Sequence, residues 1–339
     1  MVSTSFSYGP EPSGLICGYL FRDGGEGNLV GTAETLDWLR DRRDGRRTGE
    51  FLWLHFNLAI AGSEKWLLDH GGLPEEFYET LHEGSRSTRI EHANGKLVAV
   101  VNDVVFDFSF DPSDIATLWA SLDEHLVITA RRQPLQSIDR LRSAVSKGEP
   151  IRSTVELLNH LLRDQADVLV NIVRDCVRRV DEIEDHLLAG KLRTKRANLG
   201  ELRRVLVRLR RLLAPEPAAL FRLLQRPPHW VAESDSQDLR QSTEEFSVVL
   251  NDMAALQERI KLLQEEIAAR VNEENSRSLF VLTIVTVLAL PINILAGLFG
   301  MNVGGVPLAE NSDGFWIVVG IVATFTVLAG WFAFHSQRD

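Results

Sequence analysis

Two apolar runs near the C-terminus constrain the fold of this chain more than any other feature. Residues 279–299 (LFVLTIVTVLALPINILAGLF) and 315–334 (FWIVVGIVATFTVLAGWFAF) contain no charged side chain. A helix of about 20 residues rises about 30 Å, which matches the hydrocarbon core of a bilayer. Trp316 and Trp331 lie near the ends of the second run, as interfacial aromatic side chains do. A buried helical hairpin of a soluble protein is the alternative, but two runs of full spanning length favour two transmembrane helices.

The charges around these runs predict their orientation. The connecting segment GMNVGGVPLAENSDG (300–314) contains no Lys or Arg. Basic residues instead precede the first run and follow the second: Arg259, Lys261, Arg270, Arg277 and Arg338. Because basic residues are retained on the cytoplasmic side, we expect both termini in the cytoplasm and the short loop outside.

Composition excludes several classes of function. The formal net charge of −10 argues against a general affinity for nucleic acid. Cys17 and Cys176 lie far apart and form no CxxC motif, which is typical of a reduced, cytoplasmic protein. The chain contains no GxGxxG, P-loop, GxSxG or HExxH motif. We therefore expect neither an enzyme nor a bound cofactor.

The N-terminal part, residues 1–145, alternates strand-like and helix-like stretches. FLWLHFNL (51–58) and HLVITARRQPL (125–135) predict strands, the second followed by a loop. Asn94-Gly95 lies between two β-prone runs and predicts a hairpin. ETLDWLRDRR (34–43) is helix-like, and DIATLWASLDE (114–124) reads as a mixture of helix and strand. These patterns predict an α/β domain.

From Ser153 onwards the pattern is helical. One helix is predicted to end at Gly190 and a second to cover 197–213, before Pro215 and Pro217. A very long helix begins near Ser234 or Ser236 and continues without a break into the first apolar run, as far as Asn302. Its apolar residues recur at alternating intervals of three and four, which we interpret as a heptad seam between stalks of different chains: Phe246, Val249, Met253, Leu256, Ile260, Leu263 and Ile267.

Two helices cannot enclose an aqueous pore, so a pore needs several chains around an axis. The first run has one face on which polar side chains interrupt the apolar ones: Asn293, Leu290, Thr286, Thr283, Leu282, Leu279 and Ser276. The threonines could instead bond back to their own helix, and Asn302 could be a C-cap. In an oligomer, a ring of Asn302 carbonyls would face a hydrated cation, with Glu310 and Asp313 raising the local cation concentration.

Residues 282–308 (LTIVTVLALPINILAGLFGMNVGGVPL) resemble the CorA superfamily of divalent-cation transporters, whose signature is Gly-Met-Asn after the first of two C-terminal spans. HLVITARRQPLQSIDRLR (125–142) is similar to the segment in which a strand of that family leads into its helices. The sequence AGLFGMNVGGVPL (296–308) is most similar to that of the ZntB zinc-transporter subgroup. The resemblance implies a funnel-shaped homopentamer in a bacterial-type inner membrane, with a selectivity filter formed by Gly300, Met301 and Asn302.

The combined expectation is an α+β membrane protein that transports Zn²⁺, and possible further ions are Ni²⁺, Cd²⁺, Co²⁺ and Mg²⁺. A magnesium or cobalt channel is one alternative, and a membrane-anchored sensor or scaffold is another. The predicted segments are a cytoplasmic α/β domain (1–145), a helical region (146–233), a stalk helix (234–278), a first transmembrane helix (279–302), an external loop (303–314), a second transmembrane helix (315–334) and a cytoplasmic tail (335–339).

Some features depart from the magnesium branch of the family. Pro307 is followed by Leu308 rather than by Glu, and the segment RRVLVRLRR (203–211) is basic where magnesium members tend to be acidic. That segment is expected to pair with the neighbouring acidic helix. The spans offer only hydroxyls, amides and carbonyls, so we expect the ion to pass at least partly hydrated.

Three further side chains are weaker candidates for metal binding. Glu182 and His186 form an i, i+4 pair in DEIEDH (181–186), and Glu265 lies beside the seam below the pore. A solvated helix face is the alternative interpretation of both places, and the remaining histidines show no zinc-site spacing.

Overall fold

The computed structural model describes residues 13–22, 24–43, 49–83, 88–111, 114–189, 196–301, 307 and 312–335. The chain forms two compact units, Met1–Leu263 and Gln264–Asp339. The first unit contains both the predicted α/β domain and the predicted helical region, because the sheet and the helices after it share a hydrophobic core.

One mixed sheet lies at the centre of the first unit, in the strand order β2-β1-β3-β7-β6-β5-β4. Only β3 and β7 pair in parallel, and the other described pairs are antiparallel. The strands are β1 (Leu15–Phe21), β2 (Gly27–Leu29), β3 (Phe51–Asn57), β4 (Arg89–Ala93), β5 (Lys96–Val104), β6 (Ile115–Leu122) and β7 (Leu126–Arg131).

The strong strand and turn signals in the sequence are confirmed. The two predicted buried strands are β3 and β7, and they are neighbours in the middle of the sheet. Asn94 and Gly95 connect β4 to β5 with φ angles of 51° and 78°, which only a few residue types adopt at low cost. The segment 114–124 forms strand β6 and no helix, so the mixed interpretation is wrong there, because its neighbours β5 and β7 supply backbone partners on both sides.

Helices cover both faces of the sheet. On one face, α1 (Thr32–Arg43), α2 (Ala61–Trp66), a π-helical turn (Leu67–Gly71) and α3 (Glu75–Glu83) pack against Leu52 and Leu54 of β3. On the other face, α4 (Gln136–Ser146), α5 (Thr154–Leu188), α7 (Pro215–Gln225) and the start of α8 (Glu233–Phe299) pack against Trp53 and Leu97. Helix α6 (Arg196–Leu213) joins α5 to α7 in sequence.

The helix ends follow capping rules. Ser153 caps α5 by accepting a hydrogen bond from the Glu156 amide at 2.9 Å, and the Glu156 carboxylate accepts one from the amide of Arg152, the residue before the cap. Pro215 is the first residue of α7, where a missing N–H costs nothing. The prolines therefore end one helix and begin the next.

The heptad seam of α8 faces its own chain. All seven of its apolar residues are buried in the single chain, including Met253 and Ile260 at 0 % exposure. Polar contacts tie the same helix to α5: Ser153 donates to Asp235 at 2.7 Å and Arg163 to Ser242 at 3.1 Å. The prediction that this seam joins stalks of different chains is therefore wrong. Alternating intervals of three and four identify a packed helix face but not the chain against which it packs.

Between β5, α5 and α7 lies a buried polar cluster. Gln165 Nε2 donates to the Asn102 carbonyl at 2.6 Å and to Glu216 Oε2 at 3.3 Å. Asp103 accepts hydrogen bonds from the amide and hydroxyl of Ser137. Burial raises the pKa of Asp103 to about 6 and that of Glu216 to about 8, where the charge of Asp103 adds to the effect.

Cys17 and Cys176 are both free and buried. Burial raises the pKa of the Cys17 thiol to about 11 and that of the Cys176 thiol to about 12. Both side chains are therefore uncharged thiols at neutral pH and act as small apolar groups of the core.

The second unit contains the two apolar runs as helices. Among the described residues, one helix, Glu233–Phe299, is long and apolar enough to cross a membrane, and Gly314–Leu328 is a shorter apolar stretch. That stretch belongs to α9 (Gly314–His335), whose bounds lie within one residue of the predicted second span.

Candidate functional site

The polar face predicted on the first span is exposed in the single chain. Ser276, Thr283, Thr286 and Asn293 are all exposed, as are Leu279, Leu282 and Leu290. The half-buried residues of the same helix follow a separate stripe on its opposite side, formed by Ile284, Leu288, Pro291, Ile292 and Leu295. The stripe is only partly covered, so the polar face remains available for an ion path or for a neighbouring chain.

The threonine hydroxyls are held by their own helix. Thr283 Oγ1 donates to the Leu279 carbonyl and Thr286 Oγ1 to the Leu282 carbonyl, each at 2.8 Å. This is the back-bonding that the sequence left open as an alternative. Because the hydroxyl proton points into the helix, the oxygen lone pairs are the part that remains outside. Such an oxygen is a hydrogen-bond acceptor, which suits the water shell of a cation.

The helix ends immediately before the three residues of the predicted filter, Gly300, Met301 and Asn302. Helix α8 ends at Phe299, three residues before the predicted end at Asn302. The Gly300 amide still donates to the Ala296 carbonyl at 3.0 Å, and Met301 is 52 % exposed. Asn302 lies outside the described residues, so its predicted role as filter or cap stays a prediction.

Of the two acidic residues predicted to attract cations in the connecting loop, Glu310 and Asp313, the structure describes only Asp313. Asp313 lies in an exposed turn, and its carbonyl accepts a hydrogen bond from the Ile317 amide at 3.1 Å, in the first turn of α9. Glu310 lies outside the described residues.

The acidic stretch near the end of α5 contacts α8. Asp181 and Glu184 both pair with Arg259, the first at 2.7 Å. His186 Nδ1 lies 2.5 Å from the backbone carbonyl of Glu182 rather than from its carboxylate. Across the described ranges, no three His, Cys, Asp or Glu side chains lie close enough together to hold a metal ion. Metal binding by Glu182 and His186 therefore stays a prediction, without a third ligand in this part of the chain.

Glu265 is exposed on α8, and its neighbour Glu266 pairs with Arg270 at 2.6 Å along the same helix. The arginines of the basic segment in α6 include four that are exposed: Arg203, Arg204, Arg210 and Arg211.

Sequence reasoning missed a second line of residues on α8. Val248 and Leu262 are 58 % and 56 % exposed, and Ala255 between them is exposed as well. Continued at intervals of seven, the same line reaches Ala269, Ser276, Thr283 and Leu290. The sequence contains this line as a seven-residue repeat of small and apolar residues on a different side of the helix from the seam. It was missed because the seam is the more regular apolar repeat.

The chain resembles known proteins over almost its whole length. The family described as "CorA-like Mg2+ transporter protein" matches residues 48–334. The divalent cation transporter CmaX of Pseudomonas aeruginosa is 29% identical over 337 residues, which are 97% of this chain and 97% of that protein. The zinc transport protein ZntB of Yersinia enterocolitica is 23% identical over 285 residues, which are 84% of this chain and 87% of that protein.

Solved structures are similar over the same extent. The structure of full-length CmaX aligns with a TM-score of 0.80 and 28% identity, covering 98% of this chain and 100% of that one. The magnesium transporter CorA of Methanocaldococcus jannaschii aligns with a TM-score of 0.75 at 19% identity, over 94% of this chain and 97% of that one. The second likeness establishes a shared fold.

Proposed function

We propose, from the premise that the chain belongs to the family of CorA-like Mg²⁺ transporter proteins, that the exposed polar face of α8 lines its ion path. Members of this family transport divalent cations, so the chain is a divalent cation transporter rather than an enzyme. The proposal concerns the route of the ion, the number of chains around it, and the metal.

The observation that carries the proposal is the polar face of α8, formed by Thr283, Thr286 and Asn293 within the charge-free apolar run 279–299. A helix that only anchors a protein in lipid gains nothing from Asn293, which is costly to expose to hydrocarbon. In a homopentamer, five copies of this face around an axis enclose a path lined by hydroxyl and amide groups. Gly300, Met301 and Asn302 then form the filter at its outer mouth, and Asp313 and Glu310 attract cations to it.

The exposed line on α8 supports the same assembly. Val248, Ala255 and Leu262 are exposed at seven-residue intervals in the single chain, while the opposite seam is already buried. We propose that this line, and not the seam, faces the axis of the oligomer. Its exposed apolar side chains would be covered by neighbouring helices in the assembly.

We propose Zn²⁺ as the transported ion. The support is the resemblance of AGLFGMNVGGVPL (296–308) to the ZntB subgroup, together with the presence of a zinc transport protein among the relatives. A specific observation favours Mg²⁺ or Co²⁺ as a second candidate: the exposed face presents oxygen atoms and no Cys or His, and Mg²⁺ passes most easily with its water shell. Both metals are therefore compared in the same experiment.

We also propose a bacterial-type inner membrane as the location, with both termini in the cytoplasm. The support is the distribution of Lys and Arg, which flank the two apolar runs on one side and are absent from the connecting segment.

The decisive experiment is ion flux into liposomes. The purified oligomer is reconstituted, and entry of Zn²⁺ and of Mg²⁺ is followed with ion-sensitive dyes, with and without a pH gradient. Asn302→Ala is compared with Asn171→Ala, a matched control at an exposed position of α5. We expect zinc entry that Asn302→Ala reduces and Asn171→Ala leaves unchanged. Dependence on the pH gradient would identify a coupled carrier.

Other outcomes decide against parts of the proposal. Entry of Mg²⁺ without Zn²⁺ would replace zinc by the second candidate and leave the ion path intact. Entry of neither ion into liposomes that contain an intact oligomer would overturn the transporter assignment and favour an anchored sensor.

A further inference from the structure

A pocket of about 330 Å³ lies in the first unit, and none of the residues that line it belongs to α8. It is formed where α1, the π-helical turn and the first residues of β5 and β7 meet. Arg42, Lys96 and His70 line it together with Gly72 and two leucines, Leu39 and Leu126. The volume is at the lower end of the range in which proteins bind small organic molecules.

Two cationic side chains are held at the pocket by a carboxylate outside its lining. Asp123 accepts from Arg42 Nη2 at 2.7 Å and lies 3.3 Å from Lys96 Nζ. Burial alone would raise the pKa of Asp123, but Arg42, the His125 amide and Lys96 outweigh it and hold that pKa below its usual value. Asp123 is therefore charged at neutral pH and orients both cations.

Hydrogen-bonding capacity remains after this pairing. The Arg42 guanidinium has five N–H groups, and Asp123 takes one of them. Lys96 uses one N–H on the Gly72 carbonyl at 2.7 Å and a second towards Asp123, which leaves a third. Arg42, Lys96 and Asp123 together carry a net charge of about +1 beside the pocket, without any contribution from His70.

The π-helical turn brings His70 into the same place. Its extra residue per turn interrupts the α-helical repeat after Trp66, and such turns occur frequently at functional sites. The His70 ring lies 5.2 Å from the Trp66 ring in an edge-on arrangement, which restricts its orientation. Gly72 ends the turn with a φ of 57°, in the left-handed region that glycine adopts without strain.

The remaining lining is apolar. Leu39 and Leu126 are 7 % and 3 % exposed and belong to the core on that side of the sheet. A ligand that matches this pocket therefore has a negatively charged group for Arg42, Lys96 and His70. Its remaining part is apolar and contacts the two leucines.

We propose that this pocket binds a small organic phosphate, with its phosphoryl group between Arg42, Lys96 and His70 and its apolar part against Leu39 and Leu126. Three donor groups approach from three different elements, and a phosphoryl group offers three terminal oxygens where a carboxylate offers two. The site goes beyond metal transport, because none of its residues belongs to the proposed ion path.

Calorimetric titration of the full-length protein in detergent tests the proposal in metal-free buffer. The probes are phenyl phosphate, benzoate and benzyl alcohol, which share a ring and differ in the polar group. The variants are Arg42→Lys, which keeps the charge but loses the planar fork, and His70→Asn. Arg40→Gln is the matched control, since Arg40 is exposed on the same helix and pairs with Asp37.

We expect saturable binding of phenyl phosphate to the unmodified protein and to Arg40→Gln. Arg42→Lys and His70→Asn should each weaken it about tenfold. Three results would overturn the proposal: no saturable binding at about 10 mM phenyl phosphate, equal affinity for benzoate or benzyl alcohol, or unchanged affinity in both pocket variants. Thermal unfolding of each variant confirms that it is folded. Because the measurement detects binding and not transport, its result tests the phosphate-binding proposal independently of the assignment as a transporter.

Discussion

Glu216 illustrates how one buried carboxyl group affects the stability of the fold. It is fully buried at the start of α7, and the groups facing it are Gln165 from α5 and Asp103 from β5. Its Oε1 has no hydrogen-bond partner within the described residues. An ionised carboxylate in this position would be costly, so the side chain is expected to carry its proton in the folded state at neutral pH.

The variant Glu216→Gln should therefore stabilise the protein as the pH rises. Folding raises the pKa of Glu216 from 4.5 to about 8, so between these values the unfolded chain releases a proton that the folded one retains. Stability of the unmodified protein falls with pH across that window. The substitution removes this loss and should raise the free energy of unfolding by up to about 4 kcal/mol at pH 8, with little change near pH 4.5.

Thermal unfolding between these two pH values measures the effect. Glu201→Gln, at an exposed position of α6, is the control and should show no such trend. A difference between Glu216→Gln and the unmodified protein that does not depend on pH would contradict the reasoning.

His160 should have the opposite pH dependence. Asp164 Oδ2 lies 3.9 Å from its Nδ1 and Glu149 Oε1 lies 2.8 Å from its Nε2, and together they raise the pKa of His160 above 6.5. Glu149 is at hydrogen-bonding distance, whereas Asp164 acts as a more distant charge. The resulting stability is complete below the unfolded value of 6.5 and is lost as the pH rises through the folded one.

We expect His160→Gln to lower the free energy of unfolding by about 1 kcal/mol near pH 6 and to have little effect above about pH 8.5. Unfolding experiments at both pH values test this, with the exposed His229→Gln as control. An equal loss at both values would show that packing, and not the charge, is the cause.

Among the elements, α8 has two faces with different tasks. Ile260 belongs to the buried seam and is 0 % exposed, whereas Leu262, two residues later, is 56 % exposed. The first face completes the core of its own chain. The second is available to other chains, which makes the helix both a part of the fold and a part of the proposed assembly.

Alanine substitutions should separate these tasks. Ile260→Ala should lower the free energy of unfolding by about 2–4 kcal/mol, because it leaves a cavity in a packed core. Leu262→Ala should change it by less than about 0.5 kcal/mol in the dissociated chain. Denaturation at a detergent concentration that separates the chains measures both values. Similar losses for the two variants would mean that the exposed position is packed as well.

The elements also show what the sequence could predict. The buried strands, the Asn94-Gly95 hairpin and the long helix were predictable, because each depends on local spacing or local turn chemistry. The strand order could not be predicted, because the pairing of β3 with β7 joins segments about 75 residues apart in the chain. The exposed face from Ser276 to Asn293 was predictable from its polar residues. The pocket around Arg42 was not, because it depends on a π-helical turn that local patterns do not indicate.

On the scale of the whole molecule, charge and apolar surface are separated along the chain. The net charge of −10 lies entirely outside the two apolar runs, which contain no ionisable side chain. On the proposed path along α8, an ion would therefore meet neutral oxygen atoms. Selectivity then depends on how well these oxygens replace or support the water around the ion.

Thr286→Val should reveal this dependence. The substitution keeps the shape of the side chain and removes the oxygen that would face the ion, so we expect divalent-cation flux to fall at least about twofold. Thr324→Val on α9 is a close control, because Thr324 is exposed and donates to the Gly320 carbonyl at the same distance of 2.8 Å. Equal flux in both variants, measured in liposomes with equal protein content, would remove Thr286 from the ion path.

The burial of Cys17 and Cys176 has a practical consequence for labelling. Since these are the only cysteines of the chain and both are protonated and inaccessible, the folded protein should react slowly with maleimides. A cysteine introduced at an exposed site would then carry a fluorophore or spin label without removal of the native thiols. The same two residues become reactive on unfolding, so their rate of alkylation records how often the folded first unit opens.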